Sequence, residues 1–174
     1  MRTCLLFALL SVSCLQLMAQ TPATHEYRVL ATSRTSTMER EMNAAADGGF
    51  VFSGLIGGKE ILVIMVKATG PDAAVRRSYK FIATSRTGTL EKELQQAGDA
   101  GFGFSSITVF KSEIAAVLER RTDEPVTRRQ YKFLATSRTG TMQKELQSAG
   151  AEGYLFRGLT FGKEVLSVLE RPAR

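Results

Sequence analysis

The sequence predicts an α+β protein: three tandem β-α-β-β repeats, each a mostly antiparallel three-stranded sheet of order 1-3-2 with one helix, packed as one body. Three observations lead there. The stretch Tyr79–Gly98, YKFIATSRTGTLEKELQQAG, recurs as Tyr27–Ala46 and Tyr131–Gly150, and the starts fall 52 residues apart. A fixed period of that size marks a repeated supersecondary unit. Within each copy the apolar period changes from two to about three and a half. After each helix, a glycine, an aromatic residue and a hairpin signal follow at the same spacing.

The first strand opens near Tyr27, where Tyr27, Val29 and Ala31 alternate with Leu30. Matching strands open near Tyr79 and Tyr131. Arg-Thr-Ser/Gly-Thr ends each alternation, and Thr37, Thr89 and Thr141 read as helix N-caps through their hydroxyls. Glu39 and Glu91 then suit the positive end of the helix dipole, with Gln143 in the third copy. Leu90, Leu94 and Ala97 define an apolar face, repeated by Met38, Met42, Ala45 and by Met142, Leu146, Ala149. Lys92, Gln95 and Gln96 read as the solvent side. Gly49, Gly101 and Gly153 are expected just past the helix in the left-handed conformation.

A second strand comes at once, with Phe50 and Phe52 on one face and Val51 and Leu55 on the other. Gly57-Gly58-Lys59-Glu60 and Gly162-Lys163-Glu164 read as hairpin turns. The second copy turns at Phe110-Lys111-Ser112-Glu113, one residue longer, which reads as a bulge or wider loop. A helix between strands one and two makes them parallel, and the hairpin places strand three between them. The sheet face away from its helix still carries Leu30, Ile82, Leu134 and Leu155, so it is not expected to face water. A unit this small is hard to stabilise alone, so the units should pack through those second faces or pair their edges.

The expected boundaries are a signal peptide over 1–19, a linker over 20–26, and repeats over 27–67, 79–121 and 131–174. Linkers at 68–78 and 122–130 separate the repeats. Arg2, the apolar run Cys4–Val12 and the small residue Ala19 form the signal pattern. The run is too short and interrupted to span a bilayer, so no transmembrane helix is expected in the mature chain. Export places the protein in the periplasm or outside the cell. Lipid anchoring at Cys14 is the weaker alternative, because Ser11 stands where the usual leucine of that motif would be. Both cysteines, Cys4 and Cys14, lie in this segment, so the mature chain carries neither disulfide nor thiol. Composition is globular, 44% hydrophobic and 23% charged, and the formal charge is +6. The basic residues are dispersed, which favours a solubility role over a polyanion-binding surface.

Each repeat resembles a family of small bacterial domains of unknown function. Its members run YKV, then L-N-x-x-G-x-x-G-W-E-L-V, then a strand ending in basic residues. Gly98, Gly101 and Phe102 match, as do Gly150, Gly153 and Tyr154. The first copy has Ala46 at the first glycine, and Phe or Tyr replaces the tryptophan throughout. The resemblance implies a fold and no activity.

Chemistry-bearing patterns are sparse. His25 is the single histidine and lies before the first strand. Without a further histidine or a cysteine in the repeats, no Ser-His-Asp, Cys-His or metal-ligand spacing exists there. No cofactor or metal is expected. Gly58-Lys59 and Gly162-Lys163 fail as phosphate loops, because glutamate follows the lysine. Phe50, Phe102 and Tyr154 read as core rather than as base-stacking residues, so no specific nucleic-acid partner is expected.

The copies differ in how much they have drifted. Copies two and three agree at 16 of 20 positions over Tyr79–Gly98 but at 3 of 12 over Asp99–Phe110. Core packing does not account for Thr-Ser-Arg-Thr, which stands at 32–35, 84–87 and 136–139. Arginine, hydroxyls and a helix N-terminus together can hold phosphate, sulfate or carboxylate. The candidate anion-binding residues are Arg34, Thr35 and Thr37, then Arg86, Thr87 and Thr89, then Arg138, Thr139 and Thr141. The competing reading is local: threonines hold the turn, and the arginine pairs with Glu41, Glu93 or Glu145. The expectation is an exported non-enzymatic protein that contacts another protein or an envelope component. The alternative is a module for an anionic ligand or acidic polymer.

Overall fold

A computed structural model describes residues 24–173. The expected signal segment, Cys4, Cys14 and the expected cleavage site lie outside the described residues. Three units follow one another. The first holds β1 (Tyr27–Thr32), α1 (Thr35–Asp47), β2 (Phe50–Gly57) and β3 (Ile61–Lys67). The second holds β4 (Arg77–Thr84), α2 (Thr87–Asp99), β5 (Gly103–Phe110) and β6 (Glu113–Arg121). The third holds β7 (Arg129–Thr136), α3 (Thr139–Ala151), β8 (Leu155–Phe161) and β9 (Val165–Pro172). A short 3-10 turn, Gly70–Ala74, lies between the first two units.

The sheets have the orders β1-β3-β2, β4-β6-β5 and β7-β9-β8, as the sequence predicts. Each central strand pairs antiparallel with both neighbours, so the outer two run parallel without touching. Gly49, Gly101 and Gly153 have φ of +79°, +85° and +85°, the left-handed step that ends each helix. Glycine adopts it without the Cβ clash that a larger residue suffers.

Several local expectations are corrected. Each helix starts two residues before Thr37, Thr89 or Thr141, and Arg34, Arg86 and Arg138 occupy the N-cap without a side-chain cap bond. The turn is instead held from behind: the Arg34 N–H donates to Thr32 Oγ1 at 2.9 Å, and Arg86 and Arg138 repeat this on Thr84 and Thr136 at 3.3 Å. Glu39 and Glu91 therefore lie beyond the first turn. Strand two of every unit bulges, at Ser53, Ser105 and Arg157. The extra residue reverses the alternation, so Leu55 joins Phe52 on the helix side instead of pairing with Val51. In the second unit the extra residue carries the ladder on to Phe110 opposite Glu113, and the hairpin closes in a tight turn with Lys111 at φ +55°.

The faces are also exchanged relative to expectation. Ile82 packs with Leu90 and Leu94 of its own helix, whereas Tyr79 and Phe81 pack with Met38, Met42 and Ala45 of the preceding unit. Each of the first two helices thus lies between its own sheet and the next. The middle sheet is buried on both sides: Ala115 and Val117 face α1, and Ala116 and Leu118 face α2.

Candidate functional site

The joints between units are built from the repeated tyrosine and the helix before it. At the first joint, Asn43 on α1 grips the edge of β4. Its Oδ1 accepts the Tyr79 N–H and its Nδ2 donates to the Tyr79 carbonyl, both at 2.9 Å. Glu39 Oε2 accepts the Phe81 N–H at 3.0 Å. At the second joint Gln95, at the place of Asn43, accepts from Tyr131 N and donates to the Arg129 carbonyl, both at 3.2 Å. These side chains satisfy edge-strand groups that would otherwise be left open to pairing. Gln95 therefore belongs to the joint and not to the solvent face.

The tyrosine rings insert deeper, Tyr79 ending beside the bulge of β2 and Tyr131 at the start of β5. Tyr79 OH accepts the Phe52 N–H at 2.9 Å. Tyr131 OH lies 2.7 Å from the Phe102 carbonyl and 2.9 Å from Glu170 Oε2. That carboxylate also accepts the Phe104 N–H at 2.9 Å and the Arg129 guanidinium at 2.5 Å. Glu119 and Arg77 form the same pair at 2.9 Å in the first joint. Burial, more than any other influence, pushes the Tyr79 and Tyr131 phenols well above the ordinary tyrosine range; the neighbouring carboxylate adds to the rise.

A further repeated device went unread in the sequence. Lys67, Arg120 and Arg171, at the end of each third strand, donate to the carbonyls of Gly48, Ala100 and Glu152 at the helix C-termini. The same cations lie over the rings of Phe50, Phe102 and Tyr154, at 4.9, 5.1 and 4.3 Å. A cation at a helix C-terminus and over an aromatic face is favourable on both counts. The recurring basic residue was the available signal.

At the ends of the stack these devices lack partners among the described residues. Tyr27 is 61% exposed, whereas Tyr79 and Tyr131 are 1% and 5% exposed. Val29, Ile56 and Ile64 share its open end. At the other end, Phe156 and Leu159 are 49% and 53% exposed, against 6% and 8% for Phe104 and Ile107 at the same places in the second unit. Leu155, expected under cover, is exposed. Met142 and Leu146 on α3 are half-buried, whereas Leu90 and Leu94 on α2 are fully buried.

The first two Thr-Ser-Arg-Thr loops each lie beside the next unit's hairpin. Ser33, Arg34 and Thr35 share a cleft with Lys111 and Glu113, and Ser85 and Thr87 share one with Lys111, Lys163 and Glu164. Arg34, Arg86 and Arg138 are exposed. Among the described residues none of the three pairs with Glu41, Glu93, Glu145 or any other carboxylate. Thr37 Oγ1 bonds back to the Arg34 carbonyl at 3.2 Å, and Thr35 Oγ1 lies 3.5 Å from Glu113 Oε2. Thr87 and Thr89 begin α2, and Thr139 and Thr141 begin α3. The loops are not gathered into one site.

Among the described residues no cluster of three or more His, Asp or Glu side chains could hold a metal, and no helix is long and apolar enough to cross a membrane. No protein-family model, curated protein or solved structure matches the chain.

Proposed function

We infer that this is an exported, non-enzymatic repeat protein that acts by contact with a protein or another envelope component, in the periplasm or outside the cell. Its units are proposed to be divergent copies of the small bacterial domain they resemble. One observation carries the reading: the apolar surfaces that are covered at both internal joints stand open at the two ends. Exposed apolar patches of this kind mark interaction surfaces. The test is affinity capture from envelope extracts with the wild-type chain and with Val29→Lys. Loss of the captured proteins with Val29→Lys supports the reading; identical capture contradicts it. Intact mass should show a start at Gln20, and a retained Met1 or a lipid on Cys14 would contradict the expected export route.

A second reading has its own support. Arg34, Arg86 and Arg138 lack carboxylate partners among the described residues, and two of the loops sit beside a lysine of the following hairpin. An anionic ligand held there would raise the melting temperature, increasingly as its concentration exceeds its dissociation constant. Sulfate, phosphate and a short acidic polymer are the probes, with the triple change of Arg34, Arg86 and Arg138 to alanine as the control that should abolish the shift.

A further inference from the structure

Deepening the interaction reading, and resting on it, we propose that the partner is a second copy of this chain, docked head to tail. In that joint α3 and β8 of one molecule receive β1 and β2 of the next. The template is inside the chain, where the same contact is made twice by the same elements: α1 on β4 with β2 on β5, then α2 on β7 with β5 on β8.

The trailing end keeps the receiving chemistry. Gln147 stands at the place of Gln95, which binds the backbone of the next edge strand. Gly150 stands at the place of Gly98. A Cβ on Gly98 would lie 2.5 Å from the Arg129 carbonyl and 2.9 Å from the Tyr131 ring, whereas at Gly150 nothing lies within 4 Å. A residue that leaves room for a tyrosine is thus present where no tyrosine of the same molecule arrives. Phe156 and Leu159 supply the apolar pair that Phe104 and Ile107 supply internally.

The leading end keeps the inserting chemistry. Tyr27 stands at the place of Tyr79 and Tyr131, and Val29 at that of Phe81 and Phe133. Among the described residues the β1 edge is unpaired on the side that β4 and β7 present to a helix. The polar lock alone is missing: by register Val66 faces Tyr27 where Glu119 faces Tyr79 and Glu170 faces Tyr131. His25 replaces the arginine that pairs with that glutamate. The new joint would therefore bury no carboxylate, and its chief contacts would be apolar with edge-strand hydrogen bonds. The shorter His25 also leaves space for Leu155. Its internal counterpart is Gly103, where a Cβ would already lie 3.3 Å from the Arg129 guanidinium. Such a contact is heterologous, so each docking leaves another pair of open ends, and growth continues until a ring closes or a filament forms.

Sedimentation velocity of the purified mature chain, over about 1 μM to 1 mM, tests this with two exposed-site variants, Val29→Lys at the leading end and Leu159→Lys at the trailing end. The wild type should grow in steps beyond the dimer. Each variant alone should stay monomeric with an unchanged far-UV spectrum and melting temperature at low concentration. An equimolar mixture of the two should form dimers and stop there, because one good end of each kind remains. A monomeric wild type, a mixture that stays monomeric, or a dimer removed by only one variant overturns the proposal. If the wild type is monomeric while Val29→Lys still abolishes capture of an envelope protein, the interaction reading survives and the self-partner does not. If capture is also unaffected, both fall.

Discussion

Helices α2 and α3 are close to one sequence in two environments. Thr87–Asp99 and Thr139–Ala151 differ by few side chains, yet α2 buries Leu90, Leu94, Ala97 and Gly98, and α3 fully buries only Ala149. The difference lies in the neighbouring unit. Sheet β7-β9-β8 covers the second side of α2, and among the described residues no further sheet covers α3. Burial at these positions therefore belongs to the joint and not to the helix. The hydrogen bonds divide in the same way, since Gln95 binds the backbone of β7 while Gln147 is exposed.

The largest contrast expected from this comparison is in apolar truncation. Leu94→Ala should cost about 2–5 kcal/mol, the range for a fully buried leucine. Leu146→Ala, at the half-covered site, should cost about half as much or less, because less of the side chain leaves water on folding. Urea unfolding of the two variants at low protein concentration measures both. Equal losses would mean that the joint adds nothing to the burial of α2.

The polar lock comes next. Glu170→Ala removes the acceptor shared by Phe104 N–H, Tyr131 OH and Arg129. Leaving buried donors unpaired should cost about 1–3 kcal/mol. No equivalent loss is available at the leading end, where Val66 already stands in that place. A Glu170→Ala variant as stable as wild type would show that the lock is dispensable.

The same joints should respond to alkali. The folded-state phenols of Tyr79 and Tyr131 are raised above the unfolded value by burial, with the nearby carboxylates adding to the shift. The protonated form is the one the fold stabilises. That contribution is complete below the unfolded tyrosine pKa of about 10 and is lost as pH rises beyond it toward the folded values. Stability should decline above about pH 10 and decline less in Tyr131→Phe. A profile that is identical in the two proteins would break the link.

Arg86→Ala should have the smallest effect, within about 0.5 kcal/mol, as for an exposed side chain without a partner. A loss of several kcal/mol would reveal a structural contact for the arginine.

How much of this was legible in the sequence depends on how far each signal reaches along the chain. The 52-residue period, the 1-3-2 order and the glycines Gly49, Gly101 and Gly153 rest on local pattern and backbone sterics, and they could be read. Helix starts were displaced because Thr37, Thr89 and Thr141 are good caps in isolation, while Thr32, Thr84 and Thr136 hold the turn from the strand side. The bulge at Ser53 leaves no composition signal, and it moved Leu55 to the other face. Gln95 looks like a solvent residue until the next unit arrives against it. Of the candidate anion loops, the sequence located the residues at the right strand-helix junctions, but their relation to the lysine-bearing hairpins depends on how units stack.

The most direct test of the claim that each helix docks on the following unit is a pair of glycine substitutions. Gly98→Ala pushes a methyl group into the Arg129 carbonyl and the Tyr131 ring, and Gly150→Ala pushes it into open space. Measured by urea unfolding at low concentration, Gly98→Ala should lose about 1–3 kcal/mol through overpacking. Gly150→Ala should be neutral or gain up to about 1 kcal/mol from helix propensity. Opposite signs at these matched positions would support the docked stack. Equal changes at both, in either direction, would contradict it.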